Sequence, residues 1–178
     1  MSHIRSIQQM GLQEFEAMFP NEEACCAYLV ACRWPDGVRC PRCGSERVRA
    51  AMNMKWKWKC LDCRRGGEYR FSHVAGTFFE NTKAPLRSWF RVLHAILRVQ
   101  QLLLQDEPVS ALQVQRYLRM TCDWPYHAVW GLCQRLNGAR QDPEFCALMD
   151  IEPVQADRLA VHHPSGYRDE ATAVLFPG

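Results

Sequence analysis

The sequence predicts an α+β fold: a small antiparallel β unit tied by four cysteines, flanked by an N-terminal helix and followed by a helical, helix-turn-helix-like domain. Three observations carry this. Cys40, Cys43, Cys60 and Cys63 recur as two C-x2-C turns separated by sixteen residues. The segments beside them alternate with a period of two, as strands do. Before Arg33 and after Asn81 the apolar period becomes helical, and it stays so to about Arg140.

In chain order, residues 1–20 read as an N-terminal lead. Asn21 is placed to cap a helix over "EEACCAYLVACR", with acidic residues in the first turn and Ala24, Cys25, Tyr28, Leu29 and Cys32 on one face. "WPDG" ends it in a turn. The two cysteine turns follow, with strand-like alternation over 55–59 and 68–72 and Gly66-Gly67 as the turn between them. Helix and ribbon together make residues 21–76 one expected domain.

Residues 77–140 make the next. Pro85 suits the first turn of a long helix with Leu86, Trp89, Phe90, Leu93, Ile96 and Leu97 on one face. Arg87, Arg91, His94 and Arg98 fall on the other. Ser110 is a candidate cap for a shorter helix, a turn spans Thr121 to Pro125, and a further helix starts near Pro125. Two short helices across a tight turn outline a helix-turn-helix. Residues 141–178 read as an irregular acidic tail.

The composition, 48% hydrophobic and 23% charged over 178 residues, is that of a water-soluble globular chain. No stretch reaches the ~18 apolar residues of a membrane span, and no secretory signal precedes the first helix, so the expected location is the cytoplasm, with no membrane partner. The net charge of +3 hides an uneven distribution: residues 33–98 hold 15 Lys/Arg against 5 Asp/Glu. A basic field that local points to a polyanionic partner, or to a solvated basic face with none.

The cysteine spacing fits one four-thiolate zinc ion. Each C-x2-C turn aims two sulfurs at one point, and two such turns complete a tetrahedron with no open position, which makes the metal structural. Disulfide pairing and a rubredoxin-like iron site are the alternatives; the first conflicts with a reducing cytoplasm. Cys25, Cys26, Cys32, Cys122, Cys133 and Cys146 lack paired-turn spacing and read as small apolar residues. His162-His163 is read as solvated.

In "KWKWKC", strand alternation puts Trp56 and Trp58 on one face, as core, and Lys55, Lys57 and Lys59 on the other. The lysine row could serve only to deter edge association. Together with Arg42, Arg47, Arg49, Arg64, Arg65 and Arg70 on so small a unit, it instead suits the phosphate backbone of DNA. Arg87, Arg91 and Arg98 would extend the phosphate contacts. Tyr126, His127, Trp130, Gln134 and Arg135 on the last helix are candidates for base edges, with Trp130 equally readable as core.

Taken together, "FPNEEACCAYLVACRWPDGVRCPRCGS", "AGTFFENTKAPLRSWF" and "SALQVQRYLRMTCDWPYHAVWGLCQRL" resemble the N-terminal half of the zinc-ribbon insertion-sequence transposases of the ISXO type, over about residues 15–140. The resemblance implies a part that binds double-stranded transposon-end DNA, followed in that family by an RNase H-like nuclease holding two magnesium ions on two Asp and one Glu. Here Asp157 is the one plausible match to the first of these, with Gln155 and Arg158 beside it, and 21 residues follow. Such a fold needs roughly a hundred residues more, and two-metal chemistry needs all its carboxylates. The expectation is therefore a zinc-dependent DNA-binding protein that is not itself an enzyme. Two alternatives stand beside it: a regulatory module pairing with itself or with a full-length transposase through Leu102, Leu103 and Leu104, and an iron-thiolate electron carrier.

Overall fold

A computed structural model describes residues 6–63, 68–102, 109–122 and 124–152. They form six α-helices and one three-stranded antiparallel sheet, the α+β class that the sequence predicts. The chain divides into two compact units. Among the described residues one takes 6–88 together with Pro143–Glu152, and the other takes Trp89–Asp142.

The first unit begins with a short 3-10 turn, Ile7–Gln9, and helix α1, Leu12–Met18. Residues 6–19, the expected lead, are thus folded: Ile7, Met10, Phe15 and Phe19 are buried. Two turns of helix are too short to declare a period. Helix α2, Glu22–Arg33, starts where expected, with Asn21 Oδ1 accepting from the Ala24 amide at 2.9 Å. Cys25, Tyr28 and Leu29 point inward, and Phe19 meets the Tyr28 ring edge-on at 5.1 Å.

The sheet has the order β1-β2-β3, with β1 at Val48–Ala50, β2 at Lys57–Cys60 and β3 at Arg70–Ser72. Strand β1 escapes sequence reading because three residues, Val-Arg-Ala, are too few to establish a period; it forms by pairing with β2. A second correction concerns Trp56. Its φ is +59°, so the strand starts at Lys57 rather than at Lys55, and Trp56 leaves the face of Trp58. Trp58 packs between Trp34, at 5.6 Å edge-on, and Phe71, at 6.0 Å stacked, in a small core with Cys40, Cys60 and Ala75. Trp56 lies over His73, 6.3 Å between ring centres.

After the sheet, Arg33 on α2 donates to the carbonyls of His73 and Ala75, fixing the return of the chain. Gly76 follows with φ +74°, a conformation that favours glycine. Helix α6, Pro143–Met149, completes the unit and corrects the irregular reading of 141–152. It packs on α2, burying Phe145, Cys146 and Met149, and Phe145 meets Phe78 at 5.1 Å.

Helix α3, Leu86–Leu102, carries the division, which falls after Ser88. Its first amides, Leu86 and Arg87, donate to the two carboxylate oxygens of Glu22 at 2.7 and 2.9 Å. In the second unit Trp89, Phe90, Leu93, Ile96 and Leu97 are buried, as expected of that face. His94 is also buried, beside the Tyr117 ring at 6.0 Å, and so leaves the polar face assigned to it.

Helices α4, Ala111–Leu118, and α5, Tyr126–Ala139, pack on each other across a short turn, the predicted helix-turn-helix outline. Ser110 caps α4 in a full capping box: its hydroxyl accepts from the Gln113 amide, and the Gln113 side chain accepts from the Ser110 amide. Gln115 Nε2 donates to the Trp124 carbonyl at 3.0 Å, closing the turn. Arg140 is buried and bonded to Gln100 at 2.7 Å.

Candidate functional site

Cys40, Cys43, Cys60 and Cys63 converge, with all four sulfurs within 4.8 Å of one another. The Cys40 to Cys63 and Cys43 to Cys60 separations are 3.8 and 3.6 Å. A tetrahedron of sulfurs at the ordinary Zn–S length of about 2.3 Å has edges of about 3.8 Å, close to the two separations across the turns, so the four sulfurs are placed to hold one zinc ion. Cys40 and Cys60 are buried, Cys63 is partly covered and Cys43 is exposed.

The turns prepare the sulfurs for a cation. Burial pushes the Cys40 thiol up, against the backbone amides of Arg42 and Cys43 that face it. At Cys60 burial also raises the thiol, but the amides of Cys63 and Asp62 and the neighbouring thiols outweigh it and bring Cys60 down to about 7. Hydrogen bonding to Cys43, then burial, pushes Cys63 up to about 12. Four sulfurs so close cannot all ionise without a positive charge among them; a divalent ion removes that conflict and becomes the tie between the two turns.

A polar clamp locks the turns together, and sequence reading missed it. Asp62, inside the second C-x2-C, accepts from the Ser45 hydroxyl and from Arg47 Nη1 at 2.8 Å. The Leu61 amide donates to the Arg47 carbonyl at 2.8 Å, and the Cys40 amide to that of Ser45 at 2.9 Å. Gly44, at φ +72°, makes the first turn. The only sequence signal for this clamp is an acid set between two ligands.

The candidate DNA contacts are distributed as follows. Lys57 and Lys59 extend from the sheet face opposite Trp58, and Lys59 is bonded to Glu68 at 3.0 Å. Lys55 precedes the strand and pairs with Glu23 of α2 at 2.7 Å. Arg42 is exposed, its guanidinium 5.6 Å from the centre of the Tyr69 ring. Arg64 and Arg65 lie outside the described residues, as do Leu103, Leu104 and Asp157. Arg87 is drawn into the fold by the Phe19 carbonyl and by Glu16, at 2.7 and 3.0 Å. Arg91 and Arg98 are partly covered in the second unit, and Arg98 donates to Gln101.

On α5 the candidates separate by face. Tyr126 is buried with Val129, Cys133 and Leu136 and takes the packing side, so the reading of it as a base contact is corrected. His127, Trp130 and Gln134 share the outer side, where Trp130 is 37% exposed. Arg135 is exposed but lies over the Trp89 ring at 5.0 Å.

Against this geometry, residues 20–66 match the transposase zinc-ribbon domain family, so this part of the chain carries a zinc ribbon of transposase type with a single structural zinc site. A relative from Halobacterium salinarum, an uncharacterized protein in transposable element ISH50, is 30% identical over 110 residues. That match covers 57% of this chain and 36% of the relative, so the chain corresponds to little more than a third of that protein. No solved structure matches. Among the described residues no helix is long and apolar enough to cross a membrane.

Proposed function

We propose that the chain is a zinc-dependent DNA-binding protein of a transposition system, acting in the cytoplasm on double-stranded DNA resembling a transposon end. The observation that carries the reading is the placing of Lys57 and Lys59 on the outer face of a transposase-type ribbon whose fold is fixed by its metal. Zinc supplies no reaction here: Cys40, Cys43, Cys60 and Cys63 would hold it in a closed shell, leaving no site for water or substrate. The ribbon contributes phosphate contacts and the outer side of α5, with His127, Trp130 and Gln134, contributes sequence preference. Strand cleavage is not proposed for this chain, since Asp157 is the one carboxylate that matches the pattern of that chemistry.

Titration of the zinc-loaded protein with candidate element ends and with unrelated duplexes, at two salt concentrations, tests the reading. Phosphate contacts require affinity to fall steeply with salt. Affinity that ignores salt would favour the second reading, a module pairing with itself or with a full-length transposase. The exposed Leu102, 71% accessible on α3, is the observation that supports that alternative.

A further inference from the structure

The register of the sheet gathers cations that are distant in sequence. Arg49 of β1 lies opposite Lys59 of β2, and Lys59 lies opposite Arg70 of β3. Residues directly opposite in antiparallel strands point to the same face, so these three form one row across the sheet, with Lys57 two residues along. The other face carries Trp58, Cys60 and Phe71 and is spent on the core. Like charges placed directly opposite destabilise a sheet, so the row costs stability that an anion would recover. Glu68, just before β3, already plays the anion: its carboxylate accepts from Lys59 Nζ at 3.0 Å and from Arg70 Nη2 at 3.4 Å. Lys59 first and Arg70 second hold that carboxyl below its ordinary range, so it remains charged.

We propose that this outer face, Arg49, Lys57, Lys59 and Arg70, seats the phosphate backbone of duplex DNA, and that Glu68 occupies the seat in the free protein and is displaced when a phosphate enters. The inference rests on the DNA-binding reading and adds to it a defined surface and an intramolecular competitor. Charge and spacing support a phosphate. Neighbouring strands are about 4.8 Å apart, so the row reaches about 10 Å, enough to engage successive phosphates of one strand.

The test compares wild type, E68Q, E46Q, R70A and R49A, each loaded with zinc, on one fluorescent mixed-sequence duplex over a salt series. Removing the competitor should tighten binding by about two- to five-fold in E68Q, the range an exposed ion pair supplies. E46Q makes the same change of charge on an acid that pairs with Arg39 instead, and should tighten binding less. R70A and R49A should each weaken binding and lower the salt slope by about one, while R49A keeps or raises the melting temperature. If E68Q and E46Q tighten equally, or if E68Q leaves a binding wild type unchanged, Glu68 is not the competitor and the proposal falls while DNA binding stands. If wild type binds no duplex, both fall.

Discussion

The indole of Trp34, the residue that closes α2, meets the indole of Trp58 in the middle strand edge-on, with ring centres 5.6 Å apart. This contact ties the N-terminal helix to a sheet whose other apolar residues are few: Phe71 is the one large side chain of the three strands that is buried. Trp58→Ala should therefore cost about 3 kcal/mol, the low end for a buried aromatic because the ring is partly covered rather than enclosed. Trp56→Ala should cost about 1 kcal/mol or less, since Trp56 sits at a positive φ, is part-exposed and has His73 as its ring contact. Urea denaturation of both variants checks the contrast; equal losses would restore Trp56 to the core.

Removing the metal should unfold the sheet before the second unit. Ligation supplies on the order of 10 kcal/mol in small zinc domains, far more than the aromatic cluster can replace. Cys40→Ser and Cys63→Ser should lose zinc and the amide protection of β1 to β3, and elemental analysis of wild type should give one zinc per chain. A red protein would mean iron. Protection of the strands in strong chelator would show that the thiolates are not what holds the ribbon.

The carboxylate of Glu22 caps α3 from 64 residues away, accepting from the Leu86 and Arg87 amides. A helix start has unpaired amides and a positive partial charge, and this acid answers both. Glu22→Ala should destabilise the protein by about 1 to 2 kcal/mol. Hydrogen exchange should accelerate at Leu86 and Arg87 first, whereas Glu23→Ala, which loses only the exposed partner of Lys55, should change little.

What the sequence could and could not reveal follows from how local each cause is. The four ligands were legible because ligand identity and turn spacing are written side by side, and Asn21 and Ser110 because a cap acts three residues away. Glu22 was not, since its partners are brought to it only by the fold. Lys-Trp alternation reads as strand throughout, yet Trp56 is turned out of it because the Ala51 amide closes the hairpin on the Lys57 carbonyl at 2.9 Å. Helices α1 and α6 are two turns each, too short for a period, and α6 folds by packing on α2. The charge row was half legible: the cations were visible as a count, but their alignment depends on a register that no sequence states.

The 178-residue chain, taken by itself, should not cleave DNA. Two-metal cleavage needs several carboxylates on shared ions, and Asp157 alone matches that pattern. Purified zinc-loaded protein with magnesium should leave a supercoiled plasmid intact. Nicking that disappears in Asp157→Asn would overturn this expectation.

The ribbon and α5 should contribute differently to binding, and the difference can be measured. Lys57 is exposed on the sheet and can reach only phosphate, which carries no sequence information. Lys57→Ala should weaken element ends and unrelated duplexes alike and lower the salt slope by about one. His127 and Gln134 lie on the outer side of α5, opposite the buried Val129, Cys133 and Leu136. His127→Ala or Gln134→Ala should reduce the preference for element ends by about 1 to 3 kcal/mol while leaving binding to unrelated duplexes nearly intact. Tyr126→Phe keeps the buried ring and should change neither. Were Lys57→Ala to erase sequence preference while the α5 variants weakened all duplexes equally, the ribbon would be the reader and the helix-turn-helix the anchor.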